Sequence, residues 1–289
     1  MSQKIPPLLE LKIQLPTAHS VLRLLEPRHS NIASLCGRVF DGTYDKPFIL
    51  DMEHERCLHF DLIAAQSAMD LDDPDRLSLA YTRKMMAFLL FNRSPRRILM
   101  LGLGGGSLAK FCYRHLPSAA ITAVEVNPYV IALRDAFLVP ADDDRFRVVC
   151  AEGTHYVSSL GPRKDVILAD ACDRAGIAPE FGAIEFYQNA RRRLSQGGVF
   201  VMNLCGDRPS TMSHLAKIRH VFGEFVTLPV PGDGNIVVFA VKKNPLEIRW
   251  QHLEKRAVEL KPRFGLEFPR FVRRMALVWK LRRWDRLPV

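Results

Sequence analysis

A chain of 289 residues with 48% hydrophobic and 25% charged side chains can bury a full core in one large domain or two modest ones, which excludes the disordered and fibrous classes. Its formal charge of +10 is uneven, because between Val241 and Val289 fourteen Lys and Arg stand against five Asp and Glu. That stretch reads as a solvated basic face or as a contact for an anionic surface, and no apolar run approaches the roughly 18 residues of a membrane span.

The N-terminal stretch MSQKIPPLLELKIQLP is broken by prolines, Glu10 and Lys12. It lacks the apolar core of roughly 7 to 15 residues that a secretory signal requires, so the expected location is the cytoplasm. Cys36, Cys57, Cys112, Cys150, Cys172 and Cys205 form no C-x-x-C pair and are expected as reduced thiols. Residues 1–95 hold strand-like runs from Ser34 to Phe40, Pro47 to Asp51 and Arg56 to Phe60, punctuated by Gly and Asp. They predict a small β-rich N-terminal region. DLDDPDRL supplies a turn, after which Leu79 to Phe91 places apolar residues at helical spacing and predicts a linking helix ahead of Pro95.

Residues 96–244 alternate strand and helix: RILML, a glycine loop, SLAKFCYRHL, AITAVEV, PYVIALRDAFL, FRVVCAE, DVILAD, EFYQNARRRL and GGVFVMNL. Repeated β-α-β units predict a parallel sheet with helices on both faces. FVTLPV and NIVVFAVKK flank PGDGN and read as a closing antiparallel hairpin. Within 245–289, Glu247 to Leu260 and Pro269 to Trp284 are predicted helices and make a basic helical tail.

Gly102, Gly104 and Gly106 follow an apolar strand and precede a helix, where the backbone must turn tightly and approach a ligand. By itself this loop fits a dinucleotide site as well. Glu125 ends the second strand, Glu152 with Gly153 the third, and Asp170 the fourth, so three successive strands deliver a carboxylate to one edge. Ligands of open parallel sheets bind at that edge, and an acid at the end of the second strand suits two ribose hydroxyls.

From about residue 30 to 243, ILMLGLGGGS, AVEVNP, CAEGTHYV, DVILADACD and EFYQNARRRLSQGGVFVMNL follow the sequence blocks of spermidine synthases in order and spacing. The chain resembles that family of polyamine aminopropyltransferases, and within it a bacterial spermidine synthase-like branch. The resemblance implies a class I S-adenosylmethionine-dependent methyltransferase-like, Rossmann-like α/β fold. It further implies that Gly102, Gly104 and Gly106 lie beside the nucleoside, Glu125 holds the ribose, Glu152 contacts the adenine, and Gln66 and Tyr81 line the cleft. Asp170 and Asp173 match the two acids that bind and deprotonate the attacking amine. The implied cosubstrate is decarboxylated S-adenosylmethionine, or S-adenosylmethionine itself, and the implied acceptor is a small amine such as putrescine. Neither a metal nor a permanently bound cofactor is expected, and the implied assembly is a homodimer. The chain departs from the family where Gly105 replaces a loop acid, where Thr82 and Arg83 follow the cleft tyrosine, at Arg174, and at Ile236 and Val237.

Aminopropyl transfer needs a neutral amine to attack a carbon activated by a sulfonium, so carboxylates that hold cations and accept a proton fit the chemistry. Asp170 is the candidate base, Asp173 its partner in holding the amine, and Tyr81 a group that orients it. Cys172 reads as a spacer between the acids, and His155 as a local hydrogen-bonding residue. Two other readings stay open: methyl transfer from S-adenosylmethionine, favoured by the loss of the loop acid at Gly105, and a non-catalytic protein that uses the basic tail to hold RNA or an acidic surface.

Overall fold

The computed structural model describes residues 7–15, 18–170, 172–173, 176–232, 234–243 and 248–284. Strands β1 (Leu8–Leu15) and β2 (Ala18–Leu25) pair antiparallel and bury Leu9, Leu11, Leu22 and Leu24 at the two-residue period of a half-buried strand. Strands β3 (Phe48–Met52), β4 (Glu55–His59) and β5 (Ala65–Asp70) complete a five-stranded antiparallel sheet in chain order. Ser34 to Phe40, expected as a strand, instead belongs to helix α1 (Ile32–Phe40). The reason is local: the Asn31 side chain accepts the Ser34 N–H at 3.1 Å as an N-cap, and Leu35 and Val39 bury four residues apart on one face.

Helix α2 (Ala80–Met85) tightens into a 3-10 turn over Met86–Leu90. Every side chain of that turn is buried, in one core with Ile49 and Met69 of the first sheet and Phe239 of the second. The chain then alternates through β6 (Arg97–Leu101), α3 (Ser107–His115), β7 (Ala120–Glu125), α4 (Pro128–Ala132), β8 (Phe146–Cys150), α5 (Gly153–Ser158) and β9 (Lys164–Ala169). A small hairpin, β10 (Cys172–Asp173) and β11 (Gly176–Ile177), precedes a 3-10 turn at Pro179–Gly182, then α6 (Ile184–Arg193), β12 (Leu194–Leu204), α7 (Arg208–Phe222), β13 (Phe225–Pro229) and β14 (Ile236–Val241).

The second sheet runs β13-β14-β12-β9-β6-β7-β8, with β12, β9, β6, β7 and β8 parallel and β13 and β14 antiparallel to their neighbours. This is the class I methyltransferase-like α/β arrangement. Chain order reverses between β6 and β9, so the loops leaving the carboxyl ends of these two strands diverge and open a crevice between them.

Helices α8 (Trp250–Phe264) and α9 (Phe268–Trp284) close the chain. Leu253, Ala257, Leu260 and Phe264 form a buried stripe on α8, and Phe268, Phe271, Val272 and Met275 form one on α9. All of them join the core that holds Leu90 and Phe239, and α9 packs on β13. The basic charge of α9 lies on the opposite face, where Arg270, Arg273 and Arg274 are exposed.

Candidate active site

The glycine loop owes its shape to backbone that only glycine adopts easily: Gly102, Gly104 and Gly106 have φ of 96°, 52° and 71°. Glu125 pins this loop to the end of β7. Its Oε2 accepts the Leu103 N–H at 2.9 Å and its Oε1 accepts the Asn127 N–H at 2.9 Å, and each oxygen keeps a further lone pair on a residue that lines the cleft. Glu125→Ala is therefore expected to weaken methylthioadenosine binding by about 1.5 to 3 kcal/mol, the worth of a charge-assisted bond. Calorimetry checks this, and unchanged affinity in a folded variant removes Glu125 from the nucleoside site.

Glu152 caps α5: its carboxylate accepts the Thr154 N–H at 2.7 Å and hydroxyl at 2.6 Å, and the His155 N–H at 2.8 Å. Burial pushes its pKa up, but these bonds together outweigh burial and hold the carboxyl below its ordinary value. His155 exposes its ring, with Nδ1 3.9 Å from Glu152 Oε2, and its local hydrogen bond to Glu152 is made by its backbone N–H. Gly153 admits the Phe181 ring, since a Cβ there would stand 3.0 Å from Phe181 Cζ, and Phe181 with Ala178 forms an apolar wall of the cleft.

Asp170 follows β9 and is anchored by its own N–H, which donates to Leu101 O at 2.9 Å. Two side chains donate to its carboxylate: Asn203 through Nδ2 at 3.1 Å to Oδ1, and Tyr81 through its hydroxyl. Burial raises the Asp170 pKa, and the two donors offset only part of that. Burial, then the neighbouring Asp170 charge, holds the Tyr81 phenol well above its usual value, so the phenol stays a donor. Asp170 and Tyr81 thus come together although they lie on opposite sides of the glycine loop in the chain. Asn203 is a group that sequence reading missed. It ends up beside Asp170 because β12 pairs in parallel with β9, Met202 opposite Ala169. A polar residue in the otherwise apolar run VFVMNL was the available signal.

These residues line a cleft of about 870 Å³ that also receives Gln66, Ser67, Asn127 and Glu180. Its charged groups are Glu125, Glu152, Asp170 and Glu180, and among the described residues no Lys, Arg or His lines it. The side chains of Cys172 and Asp173, and all of Arg174, lie outside the described residues; the backbone of β10 pairs Asp173 with Gly176, which lines the cleft. Arg83 does not enter the cleft. Its Nη1 donates to Leu77 O at 2.6 Å and to Ser78 O at 2.5 Å, and it lines a separate cavity. The thiol expectation is corrected at one position: Cys36, Cys57, Cys112 and Cys150 are free, but Cys205, at the cleft edge, is disulfide-bonded. Two loops meet there closely, since a Cβ on Gly176 would stand 3.4 Å from Gly206 Cα.

At Gly105 a side chain has no room. A Cβ would stand 2.8 Å from Ser67 Oγ and 2.9 Å from Phe137 Cδ1, so Ser67 fills the space that an acid would need. Gly105→Asp is expected to cost about 1 to 3 kcal/mol by overpacking and to leave the Michaelis constant for an amine no better. Thermal unfolding and steady-state kinetics check this, and a stable variant with tighter amine binding would sink it.

Residues 78–244 match the family model for the spermine/spermidine synthase domain. The polyamine aminopropyltransferase of Chromobacterium violaceum is 42% identical over 222 residues, 76% of this chain and 85% of the relative. That of Neisseria meningitidis serogroup A is 36% identical over 220 residues, 75% and 84%. Among solved structures, spermidine synthase in complex with the transition state analogue AdoDATO superposes with TM-score 0.56 at 21% identity, covering 77% of this chain and 86% of that one; it bears on the fold alone. Human methyltransferase-like protein 13 in complex with SAH superposes with TM-score 0.60 at 26% identity over 65% of this chain and 93% of that one.

Proposed function

Because the chain belongs to the spermine/spermidine synthase family, we propose that this transferase moves an aminopropyl group from decarboxylated S-adenosylmethionine to a small amine such as putrescine. The observation that carries the reading is the cleft's charge: in a chain of +10, the described charged groups that line it are all carboxylates. A sulfonium donor bearing an ammonium, and an amine acceptor, are the substrates such a site favours electrostatically, and no described cation there answers the extra carboxylate of S-adenosylmethionine.

In the reaction the acceptor nitrogen gives up a proton to Asp170 and attacks the aminopropyl carbon next to sulfur. The C–N bond forms as the C–S bond breaks, and its electron pair returns to sulfur as neutral methylthioadenosine. The raised pKa brings Asp170 nearer to neutrality as an acceptor, while Tyr81 and Asn203 fix its orientation. Glu125 and Glu152 hold ribose and adenine, the glycine loop and Gln66 line the donor, and Asp173 joins Asp170 in holding the amine.

Methyl transfer is the second reading, favoured by the likeness to methyltransferase-like protein 13 and by the missing acid at Gly105. Incubating the pure protein with each donor plus putrescine distinguishes the two. Methylthioadenosine formed from the decarboxylated donor is the expected result, and S-adenosylhomocysteine from the other donor would replace the first reading by the second.

A further inference from the structure

The edge of the second sheet opposite the cleft is strongly basic. Arg97 opens β6 and Lys164 opens β9, Arg147 stands near the start of β8, Arg191, Arg192 and Arg193 end α6, and Lys242 follows β14. The parallel register brings these positions to one side of the sheet. Arg163 Nη1 donates to Arg192 O at 2.9 Å and to Leu194 O at 3.1 Å, and Lys242 Nζ donates to Leu194 O at 2.8 Å, so both cations converge on the end of α6. Among the described residues none of these cations has a carboxylate within ion-pair distance.

Most carboxylates along the same edge are held by local structure: Asp165 accepts the Arg96 and Arg97 N–H groups, Asp142 pairs with Arg134, and Asp143 accepts the Tyr113 hydroxyl, while the exposed Asp144 offsets one positive charge near Arg147. The positive field is felt inside the patch. Burial, then Arg193, Arg147 and Arg97, lowers the Lys164 pKa to about 8, and burial, then Arg163 and Arg191, lowers that of Lys242. The carbonyl end of the α6 dipole offsets only part of this charge.

We propose that this basic edge docks the phosphate backbone of a nucleic acid. Arg97 on β6, Arg147 on β8 and Arg192 at the end of α6 are exposed along this edge, with β6 and β8 two strand spacings or about 10 Å apart, while Lys164 and Arg193 are buried beneath them and add to the positive field. These exposed groups are arginines, whose planar forks bond phosphate oxygens in pairs. Tyr156 lies among them, with Arg193 6.0 Å over its ring and Arg147 Nη2 donating to its hydroxyl at 3.2 Å, which supplies an aromatic and guanidinium surface of the kind on which bases stack. A membrane is the poorer fit, because surface helices that bind lipid bury an apolar face, and beside the patch the exposed large apolar side chain is Leu160. The cleft lies about 20 Å away along β9, at the other end of the strand, so docking and transfer do not compete.

The test is fluorescence anisotropy with a labelled single-stranded RNA of about 20 nucleotides. With about four phosphates neutralised, affinity should fall on the order of 50-fold between 50 and 200 mM salt. The triple variant Arg97→Gln, Arg147→Gln, Arg192→Gln changes exposed side chains of this edge; it should bind at least about tenfold more weakly with a flatter salt dependence. The same three positions changed to keep the charge, Arg97→Lys, Arg147→Lys, Arg192→Lys, should bind nearly as wild type. Methylthioadenosine affinity measured on each variant shows that it is folded. Arg270→Gln, Arg273→Gln, Arg274→Gln on α9 should leave RNA binding unchanged. The proposal is overturned if wild type fails to bind RNA at 50 mM salt, if the edge variant binds equally well, if the α9 variant is the one that weakens, or if anionic phospholipid vesicles are bound in preference to RNA.

Discussion

Asp170→Asn is expected to reduce aminopropyl transfer by about 10²- to 10⁴-fold, the usual cost of removing a general base, with methylthioadenosine affinity nearly unchanged. The amide copies the carboxylate's shape but cannot take the acceptor's proton. It must also turn its NH₂ toward either Tyr81 or Asn203, both of which are donors, so a local loss of about 1 to 3 kcal/mol is expected and circular dichroism should accompany the kinetics. The pH dependence adds a second readout. The base works ionised, so the wild-type rate should climb as pH rises through the raised Asp170 pKa, and the variant should lack that limb. Stability runs the other way: a carboxyl whose folded pKa is raised contributes fully below the ordinary carboxylate range, and that contribution is lost as pH rises through the folded value. Turnover of Asp170→Asn at the wild-type rate would remove Asp170 as the base.

Truncation after Lys243 is expected to abolish cooperative folding. Residues beyond it supply Leu253, Ala257, Leu260, Phe264, Phe268, Phe271, Val272 and Met275 to the core that holds Phe239 and Leu90. Each of the seven larger side chains is worth about 1.5 to 3 kcal/mol of burial, so the gross loss is of the same size as the 5 to 15 kcal/mol by which a domain is usually stable. A milder version is Phe268→Ala, at a fully buried ring, expected to cost about 3 to 5 kcal/mol in denaturant unfolding. A truncated chain that melts cooperatively near the full-length temperature would show that the helices are accessory.

The glycine loop and the acids at strand ends were legible because each is a local matter: a turn that needs positive φ, or a polar residue closing an apolar run. The alternation of strand and helix likewise carried the second sheet, its parallel core and its closing hairpin. Asn203 and Ser67 were not legible, since their part in the cleft depends on which strands become neighbours, β12 beside β9 and β5 near the loop at Gly105. Arg83 shows the converse. Its place after Tyr81 in sequence suggested the cleft, but a helix turns about 100° per residue, so positions two apart face different ways, and its guanidinium leaves toward Leu77 and Ser78. For α8 and α9, the fourteen cations between Val241 and Val289 drew attention to charge, ten of them in these two helices, although Leu253, Ala257, Leu260 and Phe264 already repeat at helical spacing. Ser34 to Phe40 misled because its apolar residues, read without the Asn31 cap, fit a short strand as well as about two turns of helix.

The closing helices also make the molecule unusually easy to watch. All three tryptophans, Trp250, Trp279 and Trp284, lie on them, and the rings of Trp250 and Trp279 meet edge to face at 6.3 Å. Intrinsic emission excited at the indole band therefore comes from one end of the fold, while the cleft contributes no indole of its own. Nucleoside titrations should leave that emission almost still, whereas undocking of α8 and α9 should shift it toward the red before or as the sheets come apart. The protein thus carries a built-in optical reporter for the integrity of its C-terminal packing, separate from any signal of substrate occupancy.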